Sequence, residues 1–249
     1  MFPYKVDRPR VSPPVVTLGL IALNVLAWLV LEGGGFGDAL PSAVCQLGLI
    51  PGEVLGLLKL GTRVPLGPGT ACVIGAPHYL TVLTSMFMHG GWLHLIGNMW
   101  FLWLFGTDIE GSTGHARFLV FYLLCGIVAA ATQVLVDPHS GVPMVGASGA
   151  ISGVMGAYIL LYPRSRVHTL LTLGFFVTTV TLPAYVMLGY WFLLQLLLGT
   201  VGLVAPAGGG VAVWAHVGGF LTGLGLIRVF LDPGLVALRV TSRDPWEGR

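Results

Sequence analysis

The sequence predicts an all-α membrane protein, a bundle of six transmembrane helices with a long first outer loop. Composition is the first ground. Hydrophobic residues make up 55% of the 249 positions and charged ones 9%, against roughly 25% charged in a soluble domain. Mean hydropathy is +0.87. The second ground is arrangement: the apolar residues come in long uncharged runs, as a lipid solvent demands. The third is the uneven placement of Lys and Arg between the connections.

Taken in order, residues 1–14 carry Lys5, Arg8 and Arg10 and read as a cytoplasmic N-terminal segment. The run 15–31 is longer than a signal-peptide core. It leads into Glu32 and three glycines rather than a small-x-small cleavage site, so a retained first helix is expected. Residues 32–91 are too broken by Gly and Pro to form another span; their 47–60 portion, interrupted by Pro51 and Gly52, reads as interfacial. Further spans are expected near 92–106, 118–136, 148–162, 184–199 and 211–230. Several fall short of the ~20 residues of a perpendicular span, so their ends begin below the membrane surface or extend through neighbouring apolar residues. The apolar stretch 170–182 is of a length, ~10–14 residues, that more often marks an interfacial or buried segment, and Pro183 closes it. The six-helix domain thus covers 15–230, and 231–249 reads as a polar, disordered cytoplasmic tail.

With both termini inside, only Lys59 and Arg63 of the twelve basic residues fall outside, which leaves ten cytoplasmic. That obeys the positive-inside rule. The expected location is a bacterial-type inner membrane, spanned several times, with the lipid bilayer as the constant partner. A net charge of +2, with no basic cluster interleaved with aromatics, gives no nucleic-acid partner. Cys45, Cys72 and Cys125 show no metal-binding spacing. The first two share the predicted outer loop, where a disulfide and two free thiols are both open. His89 and His94 lie five residues apart and HExxH is absent, so neither a metal nor another cofactor is expected.

Six spans make the second, fourth and sixth helices all enter from the outer face. Their unusual polar residues sit near those entering ends: His94 and Asn98, then Ser148, then His216. Polar groups in spanning segments are costly and usually face the interior or a wet cavity. Convergence at one depth argues for one site. Ser148 opens its helix, where free backbone N–H groups and the positive dipole end favour attack on a carbonyl, although such a serine also serves as a plain N-cap. Gly149 and Gly153 match Gly219 and Gly223 as small-xxx-small faces, so the two helices can come within the 2.6–3.2 Å that a Ser–His bond needs. The alternative for His216 is a bond to a backbone carbonyl. His94 and Asn98 are spaced i, i+4 on one face and can supply donors to an oxyanion; a structural interhelical bond is the other reading of Asn98. No carboxylate lies within these three spans, which favours a dyad over a triad.

Together, His89, His94 and Asn98, the GxSG of Gly146, Ser148 and Gly149, and the AHxxGxxxG of Ala215, His216, Gly219 and Gly223 resemble the rhomboid intramembrane serine proteases. The resemblance covers roughly 15–230. It implies Ser148 as nucleophile, His216 as its base, and His94, Asn98 and the Ser148 N–H as oxyanion hole. Gly146 and Gly149 would shape the nucleophile turn and His89 would support the outer entrance. The implied substrates are transmembrane proteins cut near the outer face. Two departures stand out. Residues 32–91 lack the Trp-Arg pair that many members carry, and Ser152 replaces a tyrosine that some place under the histidine. Another group is therefore expected to orient His216, or none does. Residues 200–210, rich in Gly and Ala, are expected to form a mobile cap. The rival readings are a non-proteolytic rhomboid-like adaptor that binds membrane clients, and a small transporter, which lacks support from any internal repeat. Oligomeric state is left open.

Overall fold

The computed structural model describes residues 2–8, 12–67, 69–173, 176–204 and 212–241. The chain opens on strand β1 (Phe2–Val6) and enters helix α1 (Val15–Val30). No side chain of its own caps α1. Glu110 does so from a distance: its carboxylate accepts the N–H groups of Val16 and Thr17 at 2.8 Å and the Thr17 hydroxyl at 2.6 Å. A negative charge thereby meets the positive end of the helix dipole and pairs donors that a helix start leaves free.

The connection that follows is folded rather than loose. It holds α2 (Ala39–Leu47), the one-turn α3 (Pro51–Val54), a hairpin of β2 (Arg63–Gly67) and β3 (Thr70–Val73), and α4 (Thr81–Thr84). A disulfide joins Cys45 to Cys72 across 27 residues, so the reading with two free thiols falls. The stretch 47–60 holds the end of α2, then α3 and turns, tied by a bond from the Gly52 N–H to the Ser140 carbonyl at 2.9 Å.

Next come α5 (Trp92–Phe101), a π-helical turn (Leu102–Gly106) and α6 (Thr107–Thr113), which continue one another through helical backbone angles. Then follow α7 (His115–Val136), α8 (Ser148–Leu161), strands β4 (Arg166–Leu173) and β5 (Phe176–Pro183), α9 (Ala184–Val204), α10 (Val213–Phe230) and α11 (Pro233–Thr241). Helices form over each of the six apolar stretches. Among the described residues three, His115–Val136, Ala184–Leu203 and Val213–Phe230, are long and apolar enough to cross a membrane. Outward-facing leucines such as Leu26, Leu29, Leu193 and Leu197 are more than half exposed, a surface suited to lipid and not to water.

Two expectations need correction. The molecule is mostly helical but not all-α: residues 170–173 and 176–182 lie in the paired strands β4 and β5, which β1 extends into an antiparallel sheet of order β1-β4-β5. Val and Thr dominate these strands, and β-branched residues suit a pleated surface. The segment after 230 is not simply a disordered tail either. Pro233–Thr241 is helical, anchored by the Asp232 N–H on the Ser112 carbonyl at 2.9 Å and by Arg117 on the Leu231 carbonyl at 2.8 Å; residues beyond it lie outside those described.

The core is aromatic. Trp28, Phe105, Phe118, Phe121, Tyr122 and Tyr158 are all fully buried. At its centre α8 is enclosed continuously from Ala150 to Tyr158 and packs most extensively on α10. Glycines explain the closeness. A Cβ on Gly219 would strike the Gly149 carbonyl, one on Gly223 the Gly153 carbonyl, and one on Gly156 the Phe220 carbonyl. The two backbones touch directly, as the paired small-residue faces predict.

Candidate active site

That contact fixes the position of the serine against the histidine. α8 begins at Ser148, its first helical bond running from the Ile151 N–H to the Ala147 carbonyl at 3.0 Å. The N–H groups of the first turn therefore have no partner within the helix. Ser148 is half-buried, and its Oγ lies 2.7 Å from Nε2 of His216. His216 itself is buried. A hydroxyl bonded to an imidazole is what general-base activation of a serine needs.

The other face of the imidazole meets α9. Nδ1 of His216 lies 2.9 Å from Oε1 of Gln195, and the Trp191 ring, one turn earlier, packs against the imidazole at 5.9 Å between centroids. Sequence reasoning missed both. The available signal was a carboxamide inside an otherwise apolar run, the same signal that singled out Asn98. Ser152 does not take the place under the histidine; its hydroxyl donates back to the Ser148 carbonyl at 2.6 Å.

His94 and Asn98 project from α5 into the same cavity, of about 580 Å³, which Ser148 and His216 also line above an apolar floor of Phe101, Ile151 and Met155. The Gly90 N–H donates to Nδ1 of His94 at 3.4 Å. A neutral imidazole carries one proton, so that proton sits on Nε2. Nδ2 of Asn98 is buried with no partner. An orphaned buried donor costs about 1–3 kcal/mol, and this one belongs to a residue that lines the cavity beside Ser148 and His216. Gly146 shapes this corner. Its φ of +125° suits only glycine, and a Cβ there would come 2.7 Å from Nε2 of His94 and 3.4 Å from Nδ2 of Asn98. Gly149 is required by packing, since its Cβ would meet that of Ala129 at 2.8 Å.

His89 does not line the cavity. Its ring is wholly buried behind His94, 5.2 Å between centroids, and the backbone N–H of His89 donates to Oε1 of Glu32 at 2.6 Å. Burial, with the neighbouring His94 adding, pushes the His89 imidazole down to about 3, so it is neutral. Burial likewise pushes the Glu32 carboxyl up to about 7, against the opposing His89 N–H bond. Residues 200–210, expected as a cap, divide: Thr200–Val204 continue α9, and the rest lies outside the described residues.

A helical membrane protein holding a serine on an imidazole beside free donors is a narrow class, and comparison with known proteins gives its family. A model of the Rhomboid domain matches residues 76–233. The chain is 30% identical over 179 residues to the rhomboid protease GluP of Bacillus subtilis, covering 72% of this chain and 30% of that protein. It is 34% identical over 104 residues to Rhomboid-like protein 11, chloroplastic, of Arabidopsis thaliana, covering 41% and 37%. Over 80 residues it is 38% identical to Inactive rhomboid protein 1 of Drosophila melanogaster, covering 32% and 6%. The matches thus span well under half the length of each relative. This chain belongs to the rhomboid family and is an integral membrane protein.

Proposed function

We propose that this protein is an intramembrane serine endopeptidase that cleaves transmembrane protein substrates near the outer face of the bilayer. The observation that carries the reading is the 2.7 Å bond between Ser148 and His216. Nε2 of His216 takes the Ser148 proton as Oγ attacks the scissile carbonyl, then gives it to the leaving amine. The tetrahedral oxyanion is met by Nε2–H of His94, Nδ2 of Asn98 and the Ser148 N–H. Water then attacks the acyl-enzyme, losing its proton to His216, and frees Ser148 with the new carboxyl terminus. No cofactor takes part. A substrate helix has to unwind locally first, because its own hydrogen bonds shield its amides.

The same reading takes 15–230 as one domain of six spans, both termini in the cytoplasm, with 32–91 outside and His89 propping the outer entrance. The ten-to-two split of basic residues supports it. GluP is named a protease and supports the chemistry. Inactive rhomboid protein 1, by its name, favours a second reading as a non-proteolytic adaptor for membrane clients. Against that second reading, this chain keeps both serine and histidine in hydrogen-bonding contact. The test is a fluorophosphonate probe together with a generic single-span substrate in liposomes. Labelling and cleavage are expected in the wild type and in neither Ser148→Ala nor His216→Ala; a folded wild-type protein that does neither is an adaptor.

A further inference from the structure

We infer that Gln195 is the third, positioning member of this site, a carboxamide that holds the His216 imidazole in its reactive tautomer. The inference rests on the protease reading for its kinetic consequence but not for its geometry. Oε1 of Gln195 faces Nδ1 of His216 at 2.9 Å. A carboxamide oxygen only accepts, so Nδ1 carries the proton, and a neutral imidazole has only one. Nε2 is thereby left with a lone pair directed at Ser148 Oγ, 2.7 Å away. The opposite tautomer would leave the base with nothing to accept a proton, and loss of that control is costly in serine hydrolases that use a buried Asp.

The surroundings leave this role to Gln195. Facing the imidazole are Ser148 from α8, Trp191 and Gln195 from α9, and His94 from α5 across the cavity. Trp191 packs against the ring and limits its tilt, whereas Gln195 bonds to Nδ1 and fixes its rotation and protonation. The pair sits one helical turn apart, so a single helix face supplies both. Ser152 cannot substitute, being bonded to the Ser148 carbonyl. A neutral partner also differs from a carboxylate in kind. When His216 becomes imidazolium, Gln195 offers it a dipole and no countercharge, so the site works without a buried ion pair.

The experiment compares wild type, Gln195→Leu and Gln195→Glu in liposomes, with Ser148→Ala as the blank. Gln195→Leu is expected to lower kcat by about 10- to 100-fold with KM within about twofold, from loss of a bond worth ~1–3 kcal/mol at ~1.4 kcal/mol per decade. Gln195→Glu should restore most of kcat and move the acid limb of the pH profile to higher pH by about one unit or more, because a carboxylate favours imidazolium. A merely structural residue would change thermal stability without moving that limb. Nitrogen-15 spectra of histidine-labelled protein read the tautomer without any turnover, with the His216 signal assigned by its loss in His216→Ala. Wild type should show Nδ1–H and Gln195→Leu a mixture. Unchanged kcat in Gln195→Leu, or an unchanged tautomer, overturns the assignment of Gln195. A wild type as inert as Ser148→Ala overturns the protease reading, while the spectra still decide Gln195.

Discussion

At the residue scale, Asn98 and Glu32 carry separable tests. Asn98 keeps a buried donor unpaired, at a cost in stability, and the proposed mechanism assigns that donor to the oxyanion. Asn98→Ala should therefore lose about 10²–10³ in kcat with KM little changed, while the melting temperature holds or rises. Glu32 makes a pH prediction. Its carboxyl is raised from 4.5 to about 7 by burial, so the fold prefers the protonated acid. Its contribution to stability is complete below pH 4.5 and lost as pH climbs through about 7. Glu32→Gln imitates the neutral acid, so its melting temperature should match wild type at pH 4.5 and exceed it at pH 8. Ser148, His216, His94 and Asn98 were legible because polar side chains are rare in apolar runs. Gln195 was equally rare and went unread, because no spacing ties a residue on one helix to the imidazole of another.

At the scale of elements, glycine decides how near the helices come. Gly219→Val would thrust a branched side chain at the Gly149 carbonyl and separate α8 from α10. Both the melting temperature and the rate of phosphonate labelling at Ser148 should fall, the latter by tenfold or more; unchanged labelling would detach the glycine contact from the site. The helices themselves could be read from where Gly, Pro and charge interrupt the apolar runs. The β4–β5 hairpin could not, since a short apolar run looks alike whether its period is two or 3.6. Its Val and Thr content was the unused clue.

For the whole molecule, what escaped the sequence is long-range. β1 joins β4 across more than 160 residues, Val6 opposite Val167, and Glu110 caps α1 by accepting the N–H of Val16, 94 residues earlier; no local pattern announces either. The Cys45–Cys72 bond closes a 27-residue separation, for which chain-entropy reasoning gives about 3–4 kcal/mol. Reduction should lower thermal stability accordingly while the α8–α10 contact, and so labelling of Ser148, survives at low temperature. The helices also differ in how much of their surface the rest of the protein covers. Of the three long apolar ones, α9 is the least enclosed, 17% buried against 33% for α7 and 44% for α10. Yet α9 carries Trp191 and Gln195, which meet the far side of His216. The gap between Ser148 and His216 is thus set by two backbones in direct contact, whereas the carboxamide on the far side of the imidazole arrives on a helix that turns most of its surface outward.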